Sequence, residues 1–135
     1  MDFYDNAVDV HEAADILYNN GKYRMAVFNA CLAVELYLKS RLPLVEYDIR
    51  LESSHDVINI YRCLTARFRS SKDLASMINM CRKYYNEARY LYDGRDVFTD
   101  EFAAEFMGYL ADVKNYVEKE CVATLDDLKS KYKKN

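Results

Sequence analysis

Tryptophan is absent from this chain, proline occurs once, and glycine only three times in 135 residues. So few turn-forming residues favour long helices with short connections over a β-sandwich. No CxxC pair exists. Cys31, Cys63, Cys81 and Cys121 stand 32, 18 and 40 residues apart, and the two histidines, His11 and His55, do not complete a zinc set. The four cysteines are therefore expected as reduced thiols packed in a helical core. No apolar run approaches the ~20 residues of a membrane-spanning helix. The opening MDFYDNAVDV is acidic and lacks the basic start and apolar run of a signal peptide, so the expectation is a cytoplasmic protein with no membrane partner. Also missing are a repeat, a low-complexity segment, a glycine-rich phosphate loop, a His-Glu-x-x-His and a serine in a nucleophile elbow. Nothing in the sequence calls for a metal or a cofactor.

What is present describes a globular helical domain. Hydrophobic residues make up 51% of the chain and charged ones 30%, and the length suffices for one domain, residues 1–135, with a real core. Thirteen tyrosines and six phenylalanines promise an aromatic core or interface. The net charge of −3 hides an asymmetry. Residues 60–95 carry eight basic side chains (Arg62, Arg67, Arg69, Lys72, Arg82, Lys83, Arg89, Arg95) against three acidic ones, between two acidic flanks. Such a block fits an anionic partner, and fits equally a solvated face complementing acidic neighbour helices.

The helical pattern centres on GKYRMAVFNACLAVELYLKS, residues 21–40. Ala26, Ala30, Ala33 and Tyr37 share one helical face, and Phe28, Leu32 and Leu36 run along another. A helix apolar around most of its circumference belongs in the middle of a bundle, where its alanines admit close neighbours. Glu35 is the misfit, since burial there demands a partner. Before it, residues 4–19 read as a first helix joined through the tight turn Asn19-Asn20-Gly21, which sets the pair antiparallel. A connection around Pro43 leads to a third helix capped by Ser53 or Ser54. Ser70 and Asp73 resemble a capping box for a fourth, running from Lys72 to Tyr90. Thr99 caps a fifth, with Asp100 and Glu101 in its first turn and a stripe from Phe102 to Cys121. A short last helix is expected from Thr124, ahead of a basic tail. The expected fold is all-α: an up-and-down antiparallel bundle of five main helices plus a short C-terminal helix, with its core over about residues 4–121.

Three segments carry a family resemblance: AADILYNNGKYRMAVFNACLAVELYLKSRL, SSHDVINIYRCL and YYNEARYLYD. The first is similar to an Ala-x-x-Ala-x-Glu-x-x-Leu-Lys pattern (Ala30, Ala33, Glu35, Leu38, Lys39). The second is similar to a Ser-His-Asp-hydrophobic helix start (Ser54, His55, Asp56, Val57), and the third to a Tyr-x-x-x-x-Arg-Tyr ending (Tyr84, Arg89, Tyr90). Together they span about residues 10–120 and resemble the HEPN domain family, small helical domains often found beside minimal nucleotidyltransferases. The resemblance implies a homodimer and, in many members, a metal-independent ribonuclease built on an Arg-(four to six)-His motif. In such chemistry a histidine moves the 2′-hydroxyl proton while an arginine holds the phosphate.

This chain departs from that motif. Four, five and six residues after Arg89 stand Asp93, Gly94 and Arg95, none of them histidine. A carboxylate beside a phosphate repels it and stays ionised near neutral pH. Two readings of Arg89 stand side by side. It pairs with Glu35 as a buried bridge that fixes the bundle register, or it forms an anion site with Tyr90, Arg82, Lys83 and Arg95. His55 is a third element, as a helix-start residue or as a replacement histidine meeting Arg89. Tyr90 and Tyr92 occupy roughly the region where some family toxins are nucleotidylated. The functional expectation is a non-catalytic HEPN-like adaptor, a dimeric partner of a small nucleotidyltransferase in a toxin–antitoxin-type pair, binding a nucleotide or RNA. The alternatives are a ribonuclease using non-standard residues and a plain oligomerisation module.

Overall fold

A computed structural model describes residues 2–90 and 97–122, with the side chain of Tyr90 excepted. Five α-helices follow one another: α1 (Phe3–Asn19), α2 (Tyr23–Lys39), α3 (Val57–Thr65), α4 (Ala75–Tyr90) and α5 (Asp100–Asn115). Among the described residues there is no strand. No helix there is long and apolar enough to cross a membrane. The short C-terminal helix expected from Thr124 lies outside the described residues, as do Tyr92, Asp93, Gly94 and Arg95.

The fold is the all-α antiparallel bundle expected, with α2 at its centre. Helix α2 packs against α1, α3, α4 and α5 alike, and Ala26, Val27, Ala30, Ala33, Val34, Tyr37 and Leu38 are fully buried in it. Gly21 makes the α1–α2 turn at a φ of +73°, the left-handed conformation that glycine adopts without a Cβ penalty. Helices α2 and α4 run antiparallel. Arg24 at the head of α2 donates to the carbonyl of Ala88 near the end of α4 at 2.5 Å. Helix α5 returns beside α1 and α2, with Tyr18 bonded to Asp100 at one end and Arg41 Nε donating to Val117 O at 2.7 Å at the other.

Two helix starts differ from the sequence expectation. Residues Ile49–Ser53 wind into a 3₁₀ turn, so α3 begins later and takes Asp56 as its cap. Ser54 instead accepts from the Asp56 amide at 3.0 Å. Helix α4 starts at Ala75 rather than Lys72 because tertiary bonds hold the preceding residues out of helical geometry. Glu120 takes the Ser71 amide and hydroxyl at 2.9 and 3.0 Å. Asp112 pairs with Lys72 at 2.9 Å, and Tyr61 Oη accepts from the Leu74 amide at 3.1 Å. Thr99 caps α5 as expected, accepting from the Phe102 amide at 3.1 Å. Beyond α5 the chain makes one π-helical turn, Tyr116–Glu120. The Cys121 amide bonds to Tyr116 O at 3.0 Å. Val117 O is thereby released from the α-helical ladder, and Arg41 takes it.

One polar group inside this core has a pH consequence. The hydroxyl of Tyr37, fully buried, shares a 2.8 Å hydrogen bond with Nδ1 of His11. Burial lowers the His11 pKa, more than the nearby Asp15 raises it. A depressed histidine stabilises the fold above its unfolded pKa of ~6.5, and that contribution is lost as pH falls below it. Urea unfolding should accordingly show stability declining from pH 7.5 to 5.5, with a shallower decline in His11→Gln. In the same assay Ala30→Leu, which adds volume where α2 meets its neighbours, is expected to cost about 1–3 kcal/mol.

Candidate functional site

Helices α2, α3 and α4 meet around Glu35. Its carboxylate is almost fully buried, with 6% of the side chain exposed, and both oxygens are engaged. Lys39, one turn further along α2 and equally buried, donates to Oε2 at 3.1 Å. His55, just ahead of α3, places Nδ1 2.8 Å from Oε1. The ionised form of a carboxylate only accepts, so against it Nδ1 is the donor, and Nε2 is the ring nitrogen left facing away from Glu35. The imidazole is 64% exposed and stands at the mouth of the site. Its ring stacks on Tyr85 of α4, with centroids 5.2 Å apart and planes 27° from parallel. Tyr85 in turn packs on Phe28 of α2 at 5.1 Å.

These groups enclose a pocket of about 100 Å³ lined by Glu35, His55, Arg82, Tyr85 and Asn86, with Cys31 and Cys81 among its apolar residues. Beside it lies a more open polar groove of about 250 Å³, formed by Asp56, Ile58, Asn59, Arg62, Asn79 and Arg82. Arg82 lines both. Asp56 is occupied within the groove, since its carboxylate caps α3 and accepts from Asn59 Nδ2 at 2.6 Å. Lys39 answers the charge of Glu35, and Arg62 and Arg82 outnumber the one carboxylate of the groove, Asp56. Burial pushes the Cys31 thiol well up, and the neighbouring Cys81 adds to the effect. Among the described residues, no three or more histidine, cysteine or acidic side chains are grouped to hold a metal ion.

The residues singled out from sequence do not all meet. Glu35, His55 and Arg82 converge on the pocket. Arg89 and Tyr90 lie at the far end of α4. The buried bridge expected between Arg89 and Glu35 is replaced by Lys39 and His55, and helix register explains why. Arg24 meets Ala88 and Phe28 meets Tyr85, so Glu35, further down α2, lies nearer the start of α4. Arg89 is seven residues past Arg82, about 10 Å along the helix axis. The same register sets His55 beside Arg82 and Tyr85 rather than Arg89. Lys83 is exposed, its ammonium 5.2 Å from the Tyr84 ring. Arg95 lies outside the described residues.

Sequence reasoning passed over Lys39, Tyr85 and Asn86 as site residues. Lys39 was legible in principle, as the i+4 partner of Glu35 on one helix face. Tyr85 was not separable from Tyr84. Adjacent on α4, Tyr84 turns to Phe98, Phe102 and Phe106 around α5 while Tyr85 turns to α2 and His55.

The family model of the HEPN domain matches residues 1–120. The chain belongs to the HEPN family. Neither the curated proteins nor the solved structures yield a match. Within this HEPN bundle, Glu35 and Lys39 are each other's condition for burial. Truncating one strands the opposite charge in the core. Glu35→Ala is therefore expected to cost about 3–5 kcal/mol in urea unfolding, and Glu35→Leu with Lys39→Met to recover most of that loss.

Proposed function

We propose that this HEPN chain is a non-catalytic adaptor that binds a phosphate-bearing ligand, a nucleotide in the first instance, between α2, α3 and α4. The observation that carries this reading is Arg82, which lines both the enclosed pocket and the outer groove. The inner space suits a phosphate or the edge of a base but not a whole nucleotide. Pocket and groove together reach the lower end of the ~300–1,000 Å³ typical of small-molecule sites. Arg82 and Arg62 would hold the anionic part, with Asn59, Asn79 and Asn86 as neutral hydrogen-bonding partners. The exposed His55 ring, backed by Tyr85, offers a flat surface for a base.

A dimeric adaptor paired with a small nucleotidyltransferase, in a toxin–antitoxin setting, is the biological context that the family resemblance supports. The missing histidine after Arg89 argues for binding over catalysis. One observation favours a second reading, a metal-independent ribonuclease using non-standard residues. Glu35 holds His55 through Nδ1, which leaves Nε2 for proton transfer, and Arg82 lines the same pocket. That pairing joins a proton carrier to a phosphate holder, though on residues other than the family motif.

Binding is tested by titrating AMP, ADP, ATP and GTP into the protein by calorimetry and thermal shift. A ligand at 100 times its Kd should add ~2.7 kcal/mol of stability. Arg82→Ala should weaken binding by about 1.5–3 kcal/mol, roughly 10- to 150-fold in Kd, while Arg89→Ala leaves it within a few-fold. No shift with any nucleotide removes the ligand and leaves the oligomerisation module. Incubation with single-stranded RNA, with and without EDTA, separates the second reading. Cleavage that resists EDTA and disappears in His55→Ala and Arg82→Ala would replace the adaptor with a nuclease.

A further inference from the structure

The floor of the pocket contains a pair of thiols that ligand binding does not use. Cys31 on α2 and Cys81 on α4 are each 2% exposed and line the same cavity. Their opposition follows from helix register independently of the cavity. Stepping four residues along α2 from Arg24 to Phe28 moves the contact on α4 back from Ala88 to Tyr85. Three residues further along α2 comes Cys31, and four further back on α4 comes Cys81. The two cysteines thus occupy facing positions across the seam. Small residues flank Cys31 on α2, Ala30 and Ala33 among them, both fully buried. Helices packed through small side chains have axes about 8–10 Å apart, which sets directly facing Cα atoms roughly 3.4–5.4 Å apart, a span that overlaps the disulfide range. A disulfide requires about 4.4–6.8 Å.

We infer that Cys31 and Cys81 form an oxidation site, a buried dithiol that hydrogen peroxide converts to a disulfide joining α2 to α4. Both thiols line the cavity through which peroxide arrives, and the two sulfurs are interchangeable in the steps that follow, taken with Cys81 first. The Cys81 sulfur attacks one peroxide oxygen. An S–O bond forms, the O–O bond breaks, and the departing hydroxide takes the Cys81 proton to leave as water. The Cys31 sulfur then attacks the Cys81 sulfur. The S–S bond forms, the S–O bond breaks, and the hydroxide released takes the Cys31 proton as a second water. Two thiols lose two electrons, and one peroxide is reduced to two waters. The cavity admits a molecule of peroxide size, since a water's share of liquid volume is only ~30 Å³. Cys63 and Cys121 lie outside this cavity.

The test uses the full reduced chain treated with hydrogen peroxide under native conditions, then freed of peroxide and alkylated in denaturant so that buried thiols such as Cys121 react. Peptides are mapped by mass spectrometry without reductant. The expected result is two alkylated cysteines, Cys63 and Cys121, and one Cys31–Cys81 cross-linked peptide, which dithiothreitol reverses. Four alkylated cysteines, oxygen adducts without a cross-link, or a bridge to Cys63 or Cys121 would each overturn the assignment. A parallel sample oxidised in urea guards against pairing through unfolding. The Cys31–Cys81 bridge should dominate in the folded protein, and an equal mixture of pairings in both samples would also count against it.

Discussion

A carboxylate and an ammonium with almost no access to water occupy consecutive turns of the most buried helix in this protein. Everything at the candidate site follows from accommodating that pair. Taking two such ions out of water costs several kcal/mol each, offset only if their geometry is good and the remaining lone pairs are satisfied. Lys39 satisfies one oxygen of Glu35 and His55 the other. Among the described residues no buried side-chain nitrogen or oxygen lacks a hydrogen-bond partner. The histidine comes from the connector between α2 and α3, so the need of one core residue fixes where that connector ends. This places Asp56 to cap α3, and with it one wall of the cavity.

Helix α4 serves the core and the site with neighbouring side chains. Tyr84 joins Phe98, Phe102 and Phe106 in edge-to-face contacts that bind α4 to α5. Tyr85 lies between Phe28 and His55 and so connects the α2 packing to the mouth of the pocket. Arg82, one turn earlier and exposed, lines the cavity while α4 stays anchored through Ile78 and Ala88, both fully buried. The arrangement sets the polar groups on a rigid wall rather than on a loop, which limits the ordering cost of gripping an anion.

The fold was readable from sequence because its signals are local and repeated. The apolar faces of α2 and α5, the Asn-Asn-Gly turn and the Thr99 cap each announce one element within a few residues. The starts of α3 and α4 were misplaced because distant groups decide them: Glu120, Asp112 and Tyr61 hold Ser71 to Leu74 out of a helix that their own propensities allow. The candidate site was legible in part. Glu35 stands out in the sequence as a lone acid on an apolar helix, and His55 and Arg82 are each visible there as separate candidates. Their convergence depends on the register between α2 and α4, which no single segment encodes. A shift of two turns separates the arginine that meets the cavity from the one the family motif highlights.

The glycine turn after α1 bears on how the chain assembles. The most extensive helix–helix interface, α1 with α2, joins segments separated by only Asn20, Gly21 and Lys22. Loops of this size close within roughly 10–100 ns, far sooner than a long-range partner such as α5 can be recruited. During synthesis the same two segments leave the ribosome ahead of α3, α4 and α5, at about 5–20 residues per second. The α1–α2 hairpin therefore has time to form before α4 and α5 exist, yet it carries Glu35 and Lys39 without the helices that later enclose them. At that stage both charges are still hydrated, and their desolvation is deferred to the docking of α3, α4 and α5, the step at which the nascent chain commits to its native core.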